Sequence, residues 1–502
     1  MSIINLKNLK NKNIHIVGIG GAEGSAIAEF LVANGISSIT GHDFSSKADF
    51  KKAFYNTHLS LKLKEREKAL NHLLNLPIRI NFKDHYLEGV EDADMVFVSQ
   101  VWFKYPQNMP ILEKLKDSGV PFKTITNLYF ELAPCKIISV TGTNGKTTTA
   151  RLINSIFEIW AEKNNKSKIY FAGNDRQNVQ VLDKLNKMKK DDILILETSS
   201  TQLLLNFGIS PHIGVITNIT PNHIDDHGSF ENYIEAKKNL IRYQGKGDFA
   251  ILNYDDEQSK KIVNELRITN YESGIFLFSW KEELKEGCFV KNDEVIIRKN
   301  NKEIKLFSVD NIKIPGKHNL ENVLAAVSVA YLYGIDPEII KNGISEYTGT
   351  KHRLKLLYNI GGVKYYDDTQ ATTPEAVIAG IESFDNDIIL LAGGDNKGMK
   401  YEKLAEKIND KIKLLILFPG DASDEIEKFI DKSKIDFVKV KNFQEAVKIL
   451  KKYYKKILHL ASPKRGGITV LISPGAAHFY SKYVESSGKS LKEWIRLVSS
   501  IK

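Results

Sequence analysis

The stretch VTGTNGKTTTARLI, residues 140–153, constrains this chain more than any other. The apolar run CKIISV leads into a turn containing Gly142 and Gly145. After Gly-Lys-Thr-Thr, Ala150, Ile153 and Ile156 recur on one helical face. Strand, glycine turn and helix in that order form a phosphate cradle. The glycines let successive N–H groups point inward, the helix N-terminus adds partial positive charge, and a lysine at position 146 reaches terminal phosphate oxygens. Gly142, Thr143, Asn144, Gly145, Lys146, Thr147 and Thr148 are the expected nucleotide-contacting run, with the Thr147 hydroxyl on a magnesium ion. Val140 stands where the usual G-x-x-x-x-G-K-[ST] spacing has its first glycine. The turn alone leaves open what the nucleotide is used for, because motors, switches, kinases and ligases share it.

At 502 residues the chain exceeds one ordinary core, and the length predicts roughly three domains. Hydrophobic residues at 42% and charged residues at 26% mark a globular chain rather than a disordered one. No apolar run approaches the roughly 18 residues of a membrane span. The N-terminus MSIINLKNLKNKN has no signal-peptide pattern, so a cytoplasmic location is expected. Cys135 and Cys288 lie far apart without a Cys-x-x-Cys partner, which supports neither a disulfide framework nor a zinc cluster. The net charge of +10 raises nucleic acid as a partner. Its lysines, however, are scattered along amphipathic stretches such as LKLKEREKALNHLL, as expected of solvated faces. The expectation is no nucleic-acid partner and a small polyanionic substrate.

The chain reads as three α/β blocks with boundaries at 1–134, 135–348 and 349–502. The first opens with NIHIVGIGGAEGSAIAEFLVANGISSITGHDF. A strand from His15 to Val17, a glycine turn, a helix from Ala26 to Ala33 and a strand ending at Asp43 make a βαβ unit. It resembles a dinucleotide fingerprint, yet Gly18-x-Gly20 is followed by Gly24, where the spacing requires position 23, which is Glu23. A nicotinamide, or another phosphate-bearing ligand over the same helix end, remains open. MVFVS, from Met95 to Ser99, reads as a buried strand, followed by a helix from Met109 to Lys116.

In the second block a buried strand from Ile193 to Leu196 ends in Glu197, and VITNITPNH ends in Asn218, Pro221, Asn222 and His223. Such C-terminal edges are where α/β sheets bind ligands. A carboxylate, an imidazole and a threonine hydroxyl facing phosphates suit magnesium, although each alone also reads as an ordinary strand-end group. In IPGKHNLENVLAAVSVA, Gly316 precedes a helix whose first turn carries His318, Asn319 and Asn322, where capping by Asn319 explains part of the pattern. The third block alternates apolar strands with helices, which predicts another parallel sheet. Asp368, Thr372, Lys397 and Ser473 fall just beyond its strand ends.

TGTNGKTT, LETSSTQL, TNITPNHIDDHGSFENYIEAKKNLI, GKHNLENVLAA, KHRL, DDTQATTPEA and LLAGGDNKG, in this order, resemble the ATP-dependent Mur ligases of peptidoglycan synthesis. The likeness runs from about Ile137 to Ser473 and is greatest to the members that add D-glutamate to UDP-N-acetylmuramoyl-L-alanine. It implies a Rossmann-like N-terminal domain, a central phosphate-loop ATPase domain and a Rossmann-like C-terminal domain in a monomer. The implied reaction phosphorylates the substrate carboxylate with ATP, and the amine of the amino acid then attacks the acyl phosphate. The resemblance implies catalytic roles for Lys146, His223 and Lys237. It implies two magnesium sites, with Thr147 and Glu197 at the first and His223 at the second. Lys237 matches a carbamylated lysine supporting the second metal, and its neighbour Lys238 is the alternative.

By the same resemblance His318, Asn319 and Asn322 match adenine contacts, Arg353 and Asp368 match ATP contacts, and Asn174 matches an asparagine near the substrate pyrophosphate. Gly18 and Asp43 match the UDP-binding turn and the acid near the uracil. Thr372, Lys397 and Ser473 match the amino-acid pocket. Departures occur at His478, at Gln370, at SQVWFKYP in place of a Ser-Pro-Gly turn, and in the segment Lys47 to Leu76, which reads as an insertion. The competing readings are a Mur-type ligase for another amino acid, a folylpolyglutamate synthetase-like ligase, an inactive ligase and a nucleic-acid ATPase. The block of more than a hundred residues before the phosphate loop counts against the synthetase, and the single acid of LETSSTQ against the ATPase.

Overall fold

A computed structural model describes residues 4–100, 102, 105, 108–164, 167–174, 180–205, 208–222, 224–269, 271–350, 352–396, 398–457 and 467–499. It forms two compact units. One comprises Met1–Val309 with Glu321–Gly343, the other Asp310–Leu320 with Ile344–Lys502. Among the described residues no helix is long and apolar enough to cross a membrane.

The first unit carries two sheets. The N-terminal one contains β1 (Ile14–Val17), β2 (Ile39–His42), β3 (Arg79–Asn81), β4 (Met95–Val98) and β5 (Phe122–Lys123), all parallel in the order β3-β2-β1-β4-β5. Every residue of β1 and β4 is buried, which is why IHIV and MVFV are continuously apolar but for His15. Strand order reverses at β1, so a crevice opens beyond its C-terminal end. The helix that follows spans Ala22–Ala33 and starts four residues before the expected Ala26. Gly24 allows this, since a β-carbon there collides with the Gly18 carbonyl beneath the first turn.

The segment 47–76, read from the sequence as an insertion, contributes to the core. Helices Phe50–Thr57 and Leu63–Leu74 form the crossover from β2 to β3, and Phe50, Phe54, Leu70 and Leu73 are buried in the core of this unit.

The second sheet holds nine strands: β6 (Lys136–Thr141), β7 (Ile169–Gly173), β8 (Ile193–Glu197), β9 (Ile213–Ile216), β10 (Phe249–Asn253), β11 (Gly274–Ser279), β12 (Gly287–Lys291), β13 (Glu294–Lys299) and β14 (Lys302–Ser308). Their order is β14-β13-β12-β11-β10-β9-β6-β8-β7. β6 lies between β8 and β9, with Val140 opposite Glu197 and Thr141 opposite Ile216, so the phosphate loop leaves the sheet between its two polar-ended neighbours. The antiparallel extension β12–β14 turns at Asn292-Asp293 and Asn300-Asn301, where all four φ angles are positive. Paired Asn and Asp tolerate that conformation, and it matches the twist of a hairpin.

The second unit holds β15 (Lys355–Ile360), β16 (Val363–Asp367), β17 (Asp387–Gly393), β18 (Ile412–Phe418), β19 (Asp436–Lys439) and β20 (Ile468–Ile472), ordered β15-β16-β20-β17-β18-β19. The expected all-parallel sheet is corrected at one edge. β15 runs antiparallel to β16 because Gly361-Gly362 makes a tight reversal. The last strand inserts between β16 and β17, setting Asp367 opposite Ile472.

Candidate active site

The phosphate loop joins β6 to the helix Lys146–Asn164. Gly142 and Gly145 have φ of +152° and +82°. A β-carbon at the first collides with Thr217 Oγ1, and one at the second with Asn322 Oδ1, so the loop backbone is wedged between β9 and a neighbouring helix. Cross-bonds hold it there. Thr143 N donates to the Asn218 carbonyl at 2.8 Å, Asn144 N to Asn218 Oδ1 at 2.9 Å, and Thr217 Oγ1 to the Asn144 carbonyl at 2.6 Å. Thr143 Oγ1 lies 3.1 Å from Tyr233 Oη. Thr147 is buried in the first helical turn and Thr148 is half-buried beside it.

Lys146 Nζ curls over the loop, donating to the carbonyls of Gly142 at 2.9 Å and Thr143 at 2.8 Å. Lys237, on the helix Phe230–Lys238, donates to the same Gly142 carbonyl at 2.8 Å, with its ammonium 4.5 Å from the Tyr233 ring centroid. Only 1% of Lys237 is exposed. Burial first, and then the Lys146 charge, pushes its pKa well below the ordinary lysine value. Its neighbour points elsewhere: Lys238 pairs with Glu235 at 2.7 Å and Glu265 at 2.6 Å. The two neighbouring lysines thus point to different surroundings.

Glu197 is buried at the end of β8, across the sheet from Val140. Its carbonyl accepts from Asn174 N at 2.9 Å. His223 lies outside the described residues.

Beyond the C-terminal end of β1 is a cavity of about 450 Å³. Gly18, Asp43 and Asn174 all line it, so three residues far apart in sequence meet at one hollow. The Asp43 carboxylate ties its wall together, accepting from Gly20 N at 3.0 Å, Ser45 N at 2.9 Å and Ser45 Oγ at 2.5 Å. Glu23, another lining residue, accepts from Gln202 Nε2 at 2.5 Å and Gln100 N at 3.2 Å, and burial raises its pKa.

In the second unit Asp368 and Ser473 meet, because β20 lies beside β16. Fully buried Ser473 donates to Asp368 Oδ2 at 2.6 Å, and Leu354 N donates to Oδ1 at 3.2 Å. Burial nevertheless pushes the Asp368 carboxyl up to about 7. Arg353 and Thr372 are exposed. His478, with a φ of +59°, sets Nδ1 3.3 Å from Asp395 Oδ2, beside Lys482. Lys397 lies outside the described residues. His318 is exposed near Gly316, and Asn319 donates to the Pro315 carbonyl at 2.5 Å. Asn322, in the first unit, accepts from Thr149 Oγ1 at 3.1 Å.

Tyr233, Thr217 and Gln202 were not singled out by sequence, and Glu23 was named only for breaking the glycine spacing. Tyr233 carried a usable signal, since it stands four residues before Lys237 on one helical face. The Glu23–Gln202 contact joins residues 179 apart, and no local pattern encodes it.

Residues 140–330 match the Mur ligase middle domain, and residues 352–465 match the Mur ligase glutamate ligase domain. A UDP-N-acetylmuramoylalanine–D-glutamate ligase from Acetivibrio thermocellus is 32% identical over 503 residues, covering 98% of each chain. The enzyme of that name from Clostridioides difficile is 35% identical over 413 residues, covering 82% of this chain and 85% of its own. The UDP-N-acetylmuramate–alanine ligase MurC of Thermotoga maritima shares the fold at 18% identity, with a TM-score of 0.53 over 95% of this chain and 99% of that one. With a phosphate loop so placed and full-length relatives at this identity, the chain belongs to the Mur ligase family.

Proposed function

We propose that this protein is the ATP-dependent ligase that joins D-glutamate to UDP-N-acetylmuramoyl-L-alanine, acting in the cytoplasm as a monomer built from domains 1–134, 135–348 and 349–502. The observation that carries the proposal is the convergence of Lys146 and Lys237 on the Gly142 carbonyl, in a chain whose full-length relatives bear that enzyme's name.

In this reading a carboxylate oxygen of the substrate attacks the γ-phosphorus of ATP, and the bond to the β-phosphate oxygen breaks. The D-glutamate nitrogen then attacks the acyl carbon, and phosphate leaves as the amide forms and the nitrogen loses its proton. Negative charge moves without needing a protein nucleophile, so the site needs fixed cations and donors. Lys146 supplies the cation at the terminal phosphates, and the Gly142–Thr147 backbone supplies the donors.

The residues fit a magnesium ion. Thr147 and Glu197 offer one hydroxyl and one carboxylate at a phosphate loop, and magnesium favours few protein oxygens completed by phosphate and water. When bound, it would withdraw charge from the phosphate oxygens. A second ion would be held by His223 and by Lys237 in carbamylated form. Carbamylation consumes a neutral amine and carbon dioxide and releases one proton, and the burial of Lys237 favours the neutral amine. Lys238 is committed to Glu235 and Glu265.

The cavity beyond β1 is assigned to the UDP moiety, with Gly18, Asp43 and Asn174 on its wall. His318 and Asn319 are assigned to adenine. Asn322, bonded to Thr149, is assigned to shaping the loop beside it. Arg353 and Asp368 are assigned to ATP, Thr372, Lys397 and His478 to D-glutamate, and Ser473 to holding Asp368.

Phosphate release from ATP tests the proposal. It should require both the UDP-muramoyl-alanine and an amino acid, with D-glutamate preferred over L-glutamate, D-aspartate, L-alanine and L-lysine. A preference for alanine or lysine overturns the D-glutamate assignment, and hydrolysis indifferent to the UDP substrate overturns the ligase.

A further inference from the structure

Phe44, Tyr86 and Tyr105 line the cavity beyond β1, and none of the three has been given a role above. Phe44 is 45% exposed and Tyr105 39%, and their ring centroids lie 5.6 Å apart at 45°. Tyr86 meets Phe44 edge-on at 5.7 Å and 80°. Isolated exposed aromatics are ordinary on protein surfaces, but a contiguous group on the rim of a hollow that also carries a few polar groups marks a binding face.

Phe44 is also held in place. The Asp43 carboxylate bonds Gly20 N on one side and Ser45 N and Oγ on the other, so the backbone around residue 44 is anchored to the glycine turn. The Tyr86 edge then limits how the ring can turn. A planar apolar face thus stands ready beside a turn whose N–H groups open a helix, an arrangement suited to a ligand with a flat base at one end and phosphates at the other.

We propose that Phe44 is the nucleobase-stacking residue of this cavity and sets its affinity for base-bearing substrates. The proposal rests on the assignment of the cavity to the UDP moiety. Spacing decides the geometry. A base sandwiched between two rings needs two stacking layers of about 3.5 Å each, and 5.6 Å between centroids is too little. The base lies on the free face of Phe44, with Tyr105 flanking it. Stacking of this kind tolerates any base, so it supplies affinity while polar groups at the base edge supply discrimination.

Calorimetric titration with UDP, together with steady-state kinetics, tests this. Phe44→Ala should weaken UDP about ten- to hundredfold and raise the KM for the UDP-linked substrate in proportion. It should leave kcat and the KM for ATP unchanged, and Phe44→Tyr should restore binding. Phe44→Leu, which keeps apolar bulk without a π face, should remain weak, and the fluorescence of Phe44→Trp should be quenched on adding UDP. Tight UDP binding by wild type with Phe44→Ala within twofold of it overturns the stacking role, as does an unquenched Trp variant that binds UDP. Failure of wild type to bind UDP at all instead overturns the cavity's assignment, and the stacking role falls with it.

Discussion

The ammonium groups of Lys146 and Lys237 converge on one oxygen, the Gly142 carbonyl, at 2.9 and 2.8 Å. Two cations sharing an acceptor oppose each other's charge, and the more buried one yields. Lys146 is half-buried, whereas Lys237 is 1% exposed. The burial and the neighbouring charge therefore bias Lys237 toward the neutral amine.

Lys146→Ala should lower the ligation rate by roughly two to four orders of magnitude, the range for removing a preorganised contact to developing charge. Single-turnover phosphate release checks it, and near wild-type turnover contradicts the role given to Lys146.

Lys237→Ala should be inactive and partly rescued by acetate or formate, which can occupy the vacated volume with a carboxylate. Wild type equilibrated with carbon-13 bicarbonate should give a carbamate resonance that the variant lacks. Its absence from active wild-type enzyme rules out the modification.

Ser473→Ala should cost about 1–3 kcal/mol, because a buried carboxyl loses its hydroxyl donor. The pH dependence follows from Asp368 itself, whose folded pKa is raised to about 7. A raised carboxyl pKa means the folded state holds the proton more tightly. The stability it contributes is present below the unfolded value of about 3.9 and is lost as pH rises through about 7. Relative to wild type, Asp368→Asn should gain thermal stability between pH 5 and pH 8, and parallel melting curves contradict this.

His15 Nδ1 and His42 Nε2 are 2.8 Å apart on adjacent strands of the first sheet, and both rings are buried. His15 Nε2 and His42 Nδ1 have no hydrogen-bond partner among the described residues. Burial lowers both pKa values, that of His42 to about 3. The unfolded chain takes these protons near pH 6.5 and the folded chain refuses them, so stability falls as pH drops from about 6.5 toward 3. His42→Gln should show a shallower loss of urea midpoint over that range, and an unchanged slope removes the pair as the cause.

The sequence by itself determined the local chemistry. The cradle at residues 140–148 was legible because its glycines, lysine and threonines act within one turn, and β1, β4 and β8 were legible because strands buried on both faces read as largely apolar runs. The start of the helix at Ala22, the hairpins β12–β14 and the antiparallel β15 were missed. Each turns on backbone conformation at a few Gly, Asn or Asp residues that also serve as ordinary loop residues. Only the tertiary structure set Lys237, and not Lys238, against Gly142, since adjacent helical residues point about 100° apart and which one meets Gly142 depends on how that helix docks. It alone set Ser473 against Asp368 and Phe44 beside Tyr105, because strand order and crossovers, not spacing along the chain, bring residues 105 and 61 apart into contact.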